Sequence, residues 1–120
     1  MELINQTLRR VSDMLITGEV SSVELTEACL RRIETAEPYL HAFISVCADL
    51  AMQQAQSADR AWVDWRRGKL NQQPSRLNGI PLAIKDVLCV AEITTTAGSR
   101  ILENFVPAYD ATASARLRAA

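Results

Sequence analysis

Apolar residues recur at helical spacing from the start of the chain. Over residues 3–16, Ile4, Leu8, Val11 and Leu15 share one face while Arg9, Arg10 and Asp13 lie opposite, the pattern of an amphipathic helix. Gly18 is placed to stop it. Ser21 and Glu24 have the spacing of a capping box. Leu25, Cys29, Ile33 and Ala36 then form the stripe of a second helix, which Pro38 should bar from continuing. Two such helices with a short connection are expected to pack as an antiparallel pair; the other use of their apolar faces is to dock a partner. Residues 41–46, with β-branched and aromatic content, read as a short strand. A third helix is expected over residues 48–67, with Ala51, Ala55, Ala58, Trp62 and Trp65 on one side. Gly68 suits its C-cap, and Arg66 and Arg67 suit the negative end of its dipole. Two tryptophans at that spacing point to packing before they point to nucleotide stacking.

After a polar loop over residues 69–76 the pattern changes. Asn78-Gly79 signals a turn, and the apolar run Ile80 to Ile84 is too short for a helix and suits a buried strand with Pro81 near its start. Lys85 and Asp86 follow together where that run ends, and strand ends in α/β proteins are where functional side chains tend to emerge. Thr94-Thr95-Thr96 is β-prone, Gly98-Ser99 turns the chain, and Asp110 is a good N-cap for a last helix through Ala113, Leu117 and Ala120. That helix reaches Ala120 without a cap, a glycine or a polar tail, so the chain is expected to continue. Helices in front of alternating strands and helices predict an α/β fold.

Composition narrows the function. A hydrophobic share of 48% and a charged share of 22% are those of an ordinary globular protein, and a net charge of -1 argues against a broad basic surface for nucleic acid. No stretch has the length and apolarity of a membrane span, and the first residues lack a signal-peptide layout, which together point to the cytoplasm. Cys29, Cys47 and Cys89 are odd in number, widely spaced and not clustered with His41, the single histidine. They are expected to be reduced, partly buried thiols rather than zinc ligands, and His41 a partly buried structural residue.

The run Gly79-Ile80-Pro81-Leu82-Ala83-Ile84-Lys85-Asp86 resembles the lysine motif of the amidase signature family. The similarity continues through Thr94-Thr95-Thr96-Ala97-Gly98-Ser99 and Ile101-Leu102-Glu103-Asn104-Phe105-Val106-Pro107-Ala108-Tyr109-Asp110-Ala111-Thr112. The resemblance implies the N-terminal portion of a single amidase domain. Residues 1–70 would be mainly helical, and residues 77–120 would begin an α/β core: the first strands of a mixed sheet covered by helices on both faces. It also implies that Lys85 is the base of a Ser–Ser–Lys triad that hydrolyses an amide. A free lysine holds its proton at neutral pH, so such a base must be desolvated or set beside positive charge or hydrogen-bond donors. Alternation along a strand would let Lys85 point into a site while Asp86 bonds elsewhere.

Both serines of the triad belong to a Gly/Ser-rich stretch that this sequence lacks. Ser99 and Ser114 are the only serines after Lys85, and Ser99 reads as a turn residue. The 120 residues alone are therefore expected to be inactive. Within the family, the run over residues 101–112 is most like the A subunits of tRNA-dependent amidotransferases. Their amide is glutamine, whose ammonia amidates mischarged Glu-tRNA(Gln) or Asp-tRNA(Asn). That likeness implies B and C partner subunits, contact with tRNA only through a partner, and no cofactor in this chain, with ATP and Mg acting at the partner subunit. The chain departs from those subunits at Val87, where they usually carry Asn, and at Ala97-Gly98-Ser99, where Cys-Ala-Ser is common. A broader carboxamide amidase, or a non-catalytic helical module that binds a partner subunit, are the alternatives.

Overall fold

The computed structural model describes residues 2–120 and contains four α-helices: α1 (Leu8–Thr17), α2 (Ser22–Leu40), α3 (Ala48–Arg66) and α4 (Thr112–Ala119). The chain forms two compact units, Met1–Pro81 and Leu82–Ala120. The first holds α1 to α3.

Local chemistry sets the helix ends. The first helix starts later than the apolar spacing predicts: Leu3–Asn5 form a single 3-10 turn, and the Thr7 hydroxyl accepts from the Arg10 N–H at 3.2 Å to begin α1. Leu8 is consequently exposed, and Met14 joins Val11 and Leu15 on the buried face. Gly18, at φ 77°, ends the helix as expected, with the Gly18 and Glu19 N–H groups returning to the Leu15 and Met14 carbonyls. The capping box at α2 is complete: Ser21 accepts from the Glu24 N–H, and the Glu24 carboxylate accepts from the Ser21 N–H at 2.8 Å. Those bonds to Ser21 hold the Glu24 carboxyl below its ordinary range.

Pro38 does not stop α2. It sits in the exposed last turn, where one lost backbone bond costs little packing, and the helix closes at Leu40 through the His41 N–H on the Glu37 carbonyl at 3.0 Å. His41 is exposed rather than partly buried and takes a left-handed conformation (φ 49°), a helix-ending role. At the end of α3 the Gly68 and Lys69 N–H groups bond the Trp65 and Asp64 carbonyls, both at 2.9 Å.

One core serves the first unit. Val11, Met14, Leu15, Val20, Leu25 and Trp62 are buried together, with Leu3, Ile16, Trp65 and Ile80 packed around them. Trp62 is 1% exposed and meets Trp65 edge-on at 5.9 Å, so the tryptophans serve packing. Each such fully buried large side chain contributes about 1.5–3 kcal/mol. The closest helix–helix packing runs between α2 and α3; the expected α1–α2 pair is not the main contact. Ala55 and Ala58 are buried on α3, and small side chains of this kind suit a close helix approach. The stripe on α2 fades from buried Leu25 to half-buried Cys29, Ile33 and Ala36.

The expected strands do not form among the described residues. Residues 41–46 are irregular and exposed, and residues 80–84 carry no ladder, leaving Leu82 and Ile84 at the surface. A β-prone segment becomes a strand only when a second backbone pairs with it. The one bridge described joins Val90 to Ile93.

Candidate functional site

Three helices converge on the turn that leads into the lysine motif. Ser12 of α1 donates to the Arg76 carbonyl at 2.8 Å, Trp62 of α3 to the Asn78 carbonyl at 3.0 Å, and Ser22 of α2 to the Gly79 carbonyl at 2.6 Å. Asp59 of α3 accepts the Ser22 and Val23 N–H groups at 2.6 and 3.1 Å, supplying the start of α2 with a carboxylate from another helix. Gly79 has φ 85°, and a Cβ there would lie 2.9 Å from the Ser22 hydroxyl and 3.0 Å from the Ala58 methyl. The Asn-Gly turn read from the sequence is thus required twice, by conformation and by space. Beside the turn, a groove of about 410 Å³ is lined by Leu8, Arg9, Ser12, Arg76 and Leu77. Its one hydroxyl, on Ser12, is committed to Arg76, whose guanidinium pairs with Asp13.

Lys85 lies in the second unit and is exposed. Among the described residues it enters none of the five ion pairs, and its carbonyl accepts from the Leu88 N–H at 2.9 Å. Asp86 is bound differently. Its carboxylate accepts from the Thr96 N–H at 3.0 Å, the Thr96 hydroxyl and the Gly98 N–H at 3.2 Å, and its carbonyl accepts from the Ala97 N–H at 3.1 Å. The Thr96 hydroxyl, then the Thr96 N–H, hold the Asp86 carboxyl below its ordinary range against some desolvation. Ala97 completes this turn at φ 49°, a left-handed conformation that costs a non-glycine residue about 1–2 kcal/mol. Asp86 thus makes the structural bonds expected of it, but the partners Thr96 and Gly98 carried no local sequence signal.

The remaining candidates fall elsewhere. Ser99 is a turn residue: its N–H donates to the Thr96 carbonyl at 2.8 Å and its hydroxyl accepts from the Ile101 N–H at 3.3 Å. Ser114 is buried in α4, and its hydroxyl has no hydrogen-bond partner among the described residues. Neither hydroxyl bonds Lys85. Asp110 does not cap α4, whose first flanking residue is Ala111; its carboxylate accepts from the Ala91 N–H at 2.8 Å and pairs with Arg118 at 2.9 Å. Cys29 and Cys89 are half-buried, whereas Cys47 is exposed, because it stands just before α3 in an irregular segment. Burial pushes the Cys29 thiol up. The Cys89 thiol lies 3.8 Å from the Tyr109 hydroxyl, and that contact raises the tyrosine. No group of three potential metal ligands converges among the described residues, and no helix there is long and apolar enough to cross a membrane.

The chain belongs to the amidase family, whose model (Amidase) matches residues 24–120. It is 48% identical over 119 residues, 99% of its length, to the A subunit of the glutamyl-tRNA(Gln) amidotransferase of Geotalea daltonii. The A subunits of the same enzyme from Roseiflexus sp. and Syntrophobacter fumaroxidans are 48% identical over 121 residues and 46% identical over 120. The chain spans 23% of the length of each of these relatives.

Proposed function

We propose that this chain is the lysine-bearing portion of a glutamine-hydrolysing amidase that serves a tRNA-dependent amidotransferase. The observation that carries this reading is the 46–48% identity, across essentially the whole chain, to subunits named for that activity. In this reading Lys85 is the base. Its amine takes a proton, relayed by a bridging serine in a cis peptide, from a nucleophilic serine. That serine attacks the glutamine carboxamide, backbone N–H groups hold the oxyanion, the proton returns through the relay to the amide nitrogen as ammonia leaves, and water releases glutamate from the acyl-enzyme. Both serines lie outside the 120 residues, which alone are inactive. The segment over residues 80–84 joins a mixed sheet covered by helices, and that covering supplies the desolvation an exposed Lys85 lacks. B and C subunits receive the ammonia, bind tRNA and hold ATP and Mg, in the cytoplasm.

Lys85→Ala in the complete protein is expected to abolish glutamine hydrolysis while the circular dichroism spectrum and melting temperature stay as in the wild type. Retained glutaminase activity would remove Lys85 from the mechanism. Val87 and Ala97-Gly98-Ser99, which depart from the subunit pattern, favour a second reading as a broader carboxamide amidase. Comparing hydrolysis of glutamine with that of simple aliphatic and aromatic amides separates the two.

A further inference from the structure

Three consecutive N–H groups, from Thr96, Ala97 and Gly98, converge on Asp86, two on its carboxylate and one on its carbonyl. Successive N–H groups in such a turn form a concavity for an anion, and here a side chain of the same unit fills it. The Thr96 hydroxyl adds a fourth donor, and Thr96 is itself buried at 8% exposure. Ala97 keeps a left-handed conformation to complete the arrangement, and a strained residue persists only where its surroundings over-determine it.

The residue next to Asp86 in the chain is Lys85. Two successive peptides are each held once: the Leu88 N–H closes on the Lys85 carbonyl at 2.9 Å, and the Ala97 N–H on the Asp86 carbonyl at 3.1 Å. The backbone from which the amine extends is thereby held in place. We propose that Asp86, bound by Thr96 and Gly98, is a positioning residue for the Lys85 amine, fixing the backbone from which it extends. This inference rests on the reading of Lys85 as the base of an amidase.

The test uses the complete protein and glutamine. Thr96→Val keeps the β-branched shape and the backbone N–H but removes the hydroxyl. It is expected to lower kcat about 10- to 100-fold, as misplacement by up to an ångström does, with KM unchanged. Thr96→Ser, which restores the hydroxyl, is expected to restore kcat. If Thr96→Val does not fold, Asp86→Asn is read in the same way, because it keeps the side-chain size and weakens the acceptor that Thr96 and Gly98 bind. A kcat per folded molecule equal to wild type, a change confined to KM, or no rescue by serine overturns the proposal. Lys85→Ala is measured alongside. Should it retain activity, the reading of Lys85 fails; should it be inactive while the clamp variants keep wild-type kcat, only the positioning role fails.

Discussion

Gly79 and Gly68 offer a controlled comparison of what a glycine supplies. Both have left-handed backbones, at φ 85° and φ 72°. Around Gly68 a Cβ would meet nothing within 4 Å, whereas at Gly79 it would meet the Ser22 hydroxyl at 2.9 Å and the Ser22 and Ala58 Cβ atoms at 3.0 Å. Alanine at either position incurs the left-handed penalty of about 1–2 kcal/mol. At position 79 overpacking adds about 1–3 kcal/mol, because Ser22 and Ala58 sit on packed helices and cannot withdraw easily. Gly79→Ala is therefore expected to cost about 2–5 kcal/mol and Gly68→Ala about 1–2 kcal/mol. Urea and thermal denaturation followed by far-ultraviolet circular dichroism measure both variants. Equal losses, or a larger loss at Gly68, would refute the claim that the turn is closed by space as well as by conformation.

Two other outcomes follow from the titrating groups. Because Asp86 has its carboxyl held below the ordinary range by Thr96, its contribution to stability is complete above the unfolded-state pKa. It is lost as pH falls through the lower, folded-state pKa, so Asp86→Asn should flatten the acid side of a stability–pH curve. Parallel curves would contradict that assignment. Among the thiols, mass-resolved alkylation should modify exposed Cys47 first and Cys29 late, since burial both shields Cys29 and raises its pKa; the reverse order would place Cys29 outside the packed face.

Much of the helical unit was legible because its signals are local. The box at Ser21 and Glu24, the stops at Gly18 and Gly68, and the buried stripe Ala55, Ala58 and Trp62 each lie within a few residues of what they determine. Where tertiary partners decide, the spacing misleads. Leu8 fits the apolar face on paper but is the first residue of α1 and stays exposed, and Pro38 is tolerated because it falls in an exposed last turn. Residues 41–46 and 80–84 have strand composition, yet no described backbone pairs with them. The surroundings of the candidate site were the least legible part. Lys85 stands in a readable motif, but the groups that hold Asp86 lie ten to twelve residues away, and the carboxylate of Asp59 reaches α2 from another helix.

The turn over residues 76–79 also constrains the order in which this chain can fold. Its bonds span 64 residues from Ser12 to Arg76 and 57 from Ser22 to Gly79, against 16 from Trp62 to Asn78. Long loops must close before such contacts yield any stabilisation, so these bonds form late. On a chain emerging from the ribosome, the helices can appear in sequence and sample their packing first. The turn can fasten only once Gly79 is released, after all three helices that hold it have been made.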